Sequence, residues 1–224
     1  MKFLLAILLV SFYSDSHGQI SYTGHYGSRE SKKSLLERNP GNKIAKDETG
    51  YENNLVIVNL KGNQYKFWLF ISKGYPAYHT GDIEGLINIV KDTAAFYTND
   101  TLVGTRCRLI FRFSKTNVYI EQKMEDNCGF GANVYAEGEY PRINSRPTIT
   151  DITNMYMTDM PVHIVTAEKA FIYEQATDAK TSTKYFIKGD KLYGEEEEGG
   201  FLFVRFMSKT GKYTEGWIKK STVK

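Results

Sequence analysis

The sequence predicts an all-β chain: an N-terminal small β-barrel or sandwich carrying one disulfide, followed by a smaller C-terminal barrel. Three observations point there. Aromatic residues are abundant, with 16 Tyr and 13 Phe in 224 residues, and aromatic side chains favour strands. Apolar residues alternate at period two over many short segments that glycine turns separate. Two cysteines, Cys107 and Cys128, flank a hairpin pattern.

The chain opens on Met1-Lys2, an apolar run from Phe3 to Val10, and the small residues of Ser16-His17-Gly18. That order predicts an export signal over 1–18, with cleavage before Gln19. The run is too short to span a bilayer, and no other segment approaches that length, so no membrane span is expected. No cysteine stands at the cleavage point to carry a lipid. The address this predicts is the periplasm or the exterior. A net charge of +3 with acids and bases mixed argues against a nucleic-acid surface.

Residues 19–141 form the first predicted domain. Its first stretch, Gln19 to Asn54, is polar and reads mostly as loop, with one or two helical turns allowed in Ser31 to Arg38. Leu55 to Leu60 reads as a strand, Lys61-Gly62-Asn63 as a turn, and Gln64 to Ser72 as the partner strand, apolar on both faces for part of its length. Asp82 to Val90 is a third strand, with Gly85 marking a bulge or a crossing point. Thr93 to Tyr97 is a fourth strand or a short helix.

The central hairpin carries the clearest pattern. Cys107, Leu109, Phe111 and Phe113 share one face of a strand, and Arg108 and Arg112 the other. After the turn Ser114 to Asn117, Val118 and Ile120 continue the apolar set. Parity therefore places Cys107 on the core side. Cys128 opens Cys-Gly-Phe-Gly. A bridge between the two closes a loop of about 20 residues, worth roughly 3 kcal/mol in the chain-entropy picture. An exported address favours that bridge over two buried thiols. Ala132 to Tyr140 reads as the last strand of this half.

Residues 142–161 read as a linker, with Pro141, Pro147 and Pro161 at and around its ends and Ile149 to Tyr156 as a piece that packs on a domain edge. Residues 162–224 resume the strand pattern: Val162 to Val165, Ala170 to Tyr173, Tyr185 to Ile187, Lys191 to Gly194, Phe201 to Phe206 and Tyr213 to Lys219, with turns at Lys188-Gly189-Asp190 and Thr210-Gly211-Lys212. This is the size of an SH3-like barrel.

The residues Ala170-Phe171-Ile172-Tyr173, Tyr185 to Lys191, Phe201 to Phe206 and Glu215-Gly216-Trp217-Ile218 resemble a bacterial SH3 domain. The resemblance implies a shallow groove lined by Tyr173, Tyr193 and Trp217 that takes cell-wall peptide or another extended chain. It also implies a structural alternative for Trp217, covering the barrel mouth. The first half, through Gly81 to Gly85, Thr93 to Tyr97, the Cys107 strand, Cys128 to Gly131 and Gly138-Glu139-Tyr140, resembles an exported β-domain of bacterial envelope proteins. It is also similar to the small periplasmic lysozyme inhibitors, although no inhibitory loop of theirs aligns here.

Catalytic chemistry has little to stand on. Both cysteines are better used in a bridge, no Gly-x-Ser-x-Gly elbow occurs, and His25, His79 and His163 lack metal-ligand spacing. His79 beside Asp82 reads as a surface loop histidine, and Asp82 with Glu84 as solvated acids rather than a catalytic pair. Glu195 to Glu198 lacks the alternating oxygen ligands of a calcium loop and reads as a charged turn. Asn99-Asp100-Thr101 fits a glycosylation sequon that would be idle in a bacterium. No cofactor, metal site or catalytic residue is expected. The expected function is a non-enzymatic binding protein of the bacterial envelope, its partner peptidoglycan or an envelope protein. The alternative is an inhibitor or immunity protein against a wall hydrolase such as lysozyme or an amidase.

Overall fold

The computed structural model describes residues 21–100, 105–123, 127–156, 160–177, 181–194 and 196–224. The export signal expected over 1–18, Thr101 of the sequon and Glu195 of the acidic run lie outside these residues.

The first half forms β1 (Gly24–Arg29), α1 (Lys32–Arg38), β2 (Glu52–Lys61), β3 (Gln64–Ser72), β4 (Thr80–Asn88), β5 (Thr93–Asp100), β6 (Thr105–Phe113), β7 (Asn117–Gln122) and β8 (Gly138–Asn144). All eight strands join one antiparallel sheet in the order β4-β3-β2-β1-β8-β7-β6-β5. Consecutive strands pair except β4 with β5, and β1 also pairs with β8, so the sheet rolls up until β4 and β5 face each other. The result is a nearly closed barrel with one seam.

Eight strands enclose a space that side chains alone can fill, and here they fill it. Tyr26, Leu55, Phe67, Leu109, Phe111 and Tyr140 are fully buried inside. Phe67 sits 5.0 Å from Phe111 and 5.1 Å from Phe96, ring to ring. Cys107 shares this face at zero exposure, as parity predicts, and is bridged to Cys128.

The bridge also shapes the seam. It pins the loop after β7 at the barrel end, where Phe130 packs on Gly81 of β4 and Gly131 N donates to Thr80 O at 2.9 Å. Farther along, Phe96 of β5 leans into the space over Gly85. A Cβ on Gly85 would lie 2.3 Å from that ring. The bulge expected at Gly85 is absent, since β3 and β4 stay in continuous register through Phe67↔Gly85. The glycine serves the close approach of an aromatic ring instead.

The second half forms α2 (Ile149–Tyr156), β9 (Val162–Ile164), β10 (Lys169–Tyr173), β11 (Thr181–Ile187), β12 (Lys191–Tyr193), β13 (Glu197–Glu198), β14 (Phe201–Met207) and β15 (Tyr213–Lys219). Its sheet runs β11-β10-β15-β14-β12-β9, with β13 on β14. Ala170, Ile172, Leu192, Leu202, Val204 and Ile218 build its own small core.

Several expected boundaries move. The polar stretch read as loop contains β1, which pairs on both sides and inserts Tyr26 into the barrel core. Thr93 to Tyr97, read as a strand or a short helix, is strand, because β5 pairs along its whole length with β6. The strand expected over Ala132 to Tyr140 starts only at Gly138, since the disulfide and Phe130 hold the preceding residues to the barrel end. It then continues through Pro141 to Asn144, so residues 142–144 are barrel strand and not linker.

Candidate binding cleft between the two sheets

The sequence of β3 is apolar on both faces because both faces are covered. Phe67, Leu69 and Ile71 point into the barrel, while Trp68 points outward and is equally buried. Val56 and Val58 of β2 join Trp68 on that outer wall. Two elements cover the wall: α2, through Ile152 and Met155, and the second sheet, through Met207 and Tyr213. The Trp68 and Tyr213 rings meet edge to face at 4.8 Å. Thr148 and Asp151 cap the start of α2, the Thr148 N donating to Asp151 Oδ2 at 2.6 Å and the Asp151 N to Thr148 Oγ1 at 3.3 Å.

Beside this apolar patch lies a charged cluster that ties the sheets together. Lys66, the lone cation within β3, is buried and donates to both Glu215 carboxylate oxygens at 2.7 and 2.6 Å. It also faces Glu84 at 3.5 Å. Arg205 faces the same two acids at 3.8 and 3.9 Å. Two cations and two carboxylates therefore neutralise one another across the junction. The Lys66 ammonium rests 5.3 Å from the Trp68 ring centroid and 5.6 Å from that of Tyr213, where the ring faces add attraction. Tyr213 donates to Glu215 Oε2 at 2.7 Å, and burial, with Glu215 beside it, pushes its phenol well above the ordinary range.

One continuous face of the second sheet extends beyond that junction. In register, Arg205 lies opposite Glu215, Phe203 opposite Trp217, and Trp217 opposite Tyr173. Tyr193 on β12 lies opposite Arg205. The three residues expected to line a groove thus share a face, but they do not meet as a trio: Arg205 and Phe203 stand between Tyr193 and Trp217. Trp217 stacks edge to face on Phe203 at 5.4 Å, and Tyr173 on Phe201 at 5.1 Å. Trp217 lies on this outer face rather than over the small core.

A cleft of about 480 Å³ opens where this face meets the barrel. Tyr173, Phe203 and Tyr213 give it aromatic walls, Leu60 of β2 closes the barrel side, and Lys184, Lys212, Glu174 and Glu215 place charges around it. Tyr193 and Trp217 are not among its lining residues. The sequence singled out Tyr173 alone of this lining. The signal it offered for Phe203 was Phe201 to Phe206, a run apolar on both faces; for Lys66 it was a single charge inside a doubly apolar strand.

The other candidates fall elsewhere. His25 sits between Asn54 at 3.1 Å and Asp151 at 3.3 Å, joining the barrel to α2. His163 Nε2 contacts Gly194 O at 2.9 Å, and His79 is exposed on the loop before β4. Glu84 belongs to the junction cluster, while exposed Asp82 has its carboxyl pushed up by desolvation and by Glu84. Among the described residues, no three His, Cys, Asp or Glu gather as a metal site.

A second buried charge went unseen in the sequence. Glu30 is buried against Arg38, whose guanidinium donates to both its oxygens at 3.1 and 2.7 Å, with Ser34 Oγ adding a bond at 3.1 Å. These bonds, led by Arg38, hold the Glu30 carboxyl below its usual range against the opposing effect of burial. The arrangement anchors α1 to the barrel.

No protein-family model matches the chain, and no curated protein matches it either.

Proposed function

We propose that this chain is an exported, non-enzymatic binding protein of the bacterial envelope, which grips an extended chain in the cleft between its two sheets. The ligand class is a wall peptide or an extended segment of an envelope protein. The observation that carries this reading is the cleft lining: aromatic rings from Tyr173, Phe203 and Tyr213, with lysines and glutamates set around them. Concave sites with apolar walls and a few placed polar groups are suited to recognition. The resemblance of residues 162–224 to a bacterial SH3 domain supports the same assignment. The Cys107–Cys128 bridge supports an oxidising compartment, and no described helix is long and apolar enough to cross a membrane.

The test is retention of the mature protein on insoluble peptidoglycan, compared with Phe203→Ala and Trp217→Ala. Phe203 and Trp217 are only partly buried, so both variants are expected to fold. Retention that drops with Phe203→Ala supports the wall-peptide form. No retention of the parent protein removes it, and equal retention of parent and both variants moves binding away from the aromatic face.

A second reading, an inhibitor of a wall-degrading enzyme, draws on the loop before β4. Tyr78 is 52% exposed there and packs edge to face on Tyr75 at 6.2 Å. Its hydroxyl donates to Glu48, which pushes the phenol up to about 12. A firmly held, protruding aromatic loop suits insertion into an enzyme cleft. Lysozyme and amidase rates that stay unchanged by excess protein count against this reading.

A further inference from the structure

The second sheet ends on β11, and among the described residues no strand pairs with its far side. The opposite end of the sheet is closed, because Ile164 of β9 and Lys224 exchange two backbone hydrogen bonds of 3.0 Å. In the barrel, the two terminal strands face each other across the seam. An open edge presents backbone donors and acceptors ready to pair with another chain.

The side chains around β11 say what kind of chain. Tyr185 and Ile187 are 42% and 55% exposed, and Phe171, directly opposite Tyr185, is 42% exposed. The Phe171 and Tyr185 rings lie 5.9 Å apart, with the Lys169 ammonium 4.6 Å from the Tyr185 ring centroid. From Thr181 to Lys188, the charged residues are Lys184 and Lys188 alone. Lys188 reaches Glu168 at 3.1 Å, and the Ile187 N donates to Asp190 Oδ2 at 2.9 Å.

This charge pattern also selects against self-pairing. Lys184 is the central residue of β11. In the twofold antiparallel register centred on β11, Lys184, which lies in the register shift opposite Phe171 to Tyr173, stands opposite itself, and like charges directly opposite destabilise a sheet. A strand whose apolar residues alternate with Asp or Glu meets both the apolar patch and the lysines.

We propose that β11 is a docking edge for an extended, acidic–apolar segment of a partner protein, which adds to the sheet as a further antiparallel strand. Ser182 and Lys184 also line the cleft, whereas Ile187 and Lys188 do not, so variants at 187 and 188 test this edge apart from the cleft.

The mature protein is titrated with a short synthetic peptide alternating valine and glutamate, followed by backbone amide shifts. A peptide with lysine in place of glutamate serves as control. The expected result is saturable binding with shifts centred on 181–187, and weak or no binding of the lysine peptide. Ile187→Glu with Lys188→Glu, both at exposed positions, is expected to weaken binding at least about tenfold. Thr183→Pro, which removes a backbone N–H from β11 at its register shift, is expected to abolish it. Phe203→Ala is expected to leave it unchanged. The proposal is overturned if the acidic peptide does not bind, if the lysine peptide binds as tightly, or if the charge-reversed variant keeps full affinity. Concentration-dependent dimers that Thr183→Pro dissolves would also overturn it, assigning the edge to a second copy.

Discussion

Replacing Lys66 by methionine tests how firmly the two sheets are joined. The substitution keeps most of the stem that lies against Trp68 and Tyr213 and removes the charge. Glu215 then keeps Arg205 at 3.9 Å and the Tyr213 hydroxyl at 2.7 Å, and Glu84 keeps Arg205 at 3.8 Å. Removing one partner from a fully buried pair costs about 3–5 kcal/mol. Here Glu215 and Glu84 keep 29% and 36% of their side-chain exposure, so water screens part of the uncovered charge and the expected loss is about 2 kcal/mol. Lys66→Ala also removes the buried stem, adding about 2 kcal/mol. At this chain length, a loss of about 2 kcal/mol lowers Tm by roughly 4–8 °C. Urea unfolding of both variants measures the difference. A double-mutant cycle with Glu215→Gln is expected to return about 1–2 kcal/mol of coupling. If Lys66→Met unfolds within about 0.5 kcal/mol of the parent, desolvation has cancelled the attraction and the cluster does not join the sheets.

Two further outcomes follow from the seam and from α1. Gly85→Ala pushes a methyl into the Phe96 ring and is expected to cost about 1–3 kcal/mol in urea unfolding, with Phe96→Leu restoring part of the loss; a neutral Gly85→Ala would mean that β5 moves freely away from β4. Glu30 titrates below its unfolded value, so its contribution is present above the ordinary carboxylate range and disappears as pH falls through the folded value. Stability profiled from about pH 7 to about pH 3 is expected to fall less steeply below about pH 4.3 in Glu30→Gln than in the parent; parallel profiles would place the acid sensitivity elsewhere.

The hairpin and its disulfide were legible in the sequence because period-two alternation is a local signal, and Cys107 sits in phase with Leu109 and Phe111. The strands of the second half were legible for the same reason, as glycine turns punctuate them. β1 was not, because it carries one core side chain, Tyr26, between small and polar residues, and its strand state comes from pairing with β2 and β8. The end of β8 was hidden behind Pro141, which reads as a stop but here pairs with Asn117 at the end of β7. At the cleft, Tyr173 was named through the resemblance to a bacterial SH3 domain. Phe203, Lys66 and Glu215 were not, since what makes them matter is a wall supplied by the other half of the chain. The doubly apolar β3 announced that something covers its outer face without naming the cover.

That cover has a consequence for how such a protein can be taken apart. Trp68, Val56 and Val58 are shielded by α2 and by Met207 and Tyr213, all contributed from beyond the last barrel strand. A gene fragment ending after that strand would encode a complete barrel with a bare greasy flank and a lysine left to Glu84 alone, a surface prone to clumping. The reciprocal fragment would carry the matching flank. Recombination that shuffles free-standing modules would therefore be penalised at this boundary, and the two halves are expected to be passed on together.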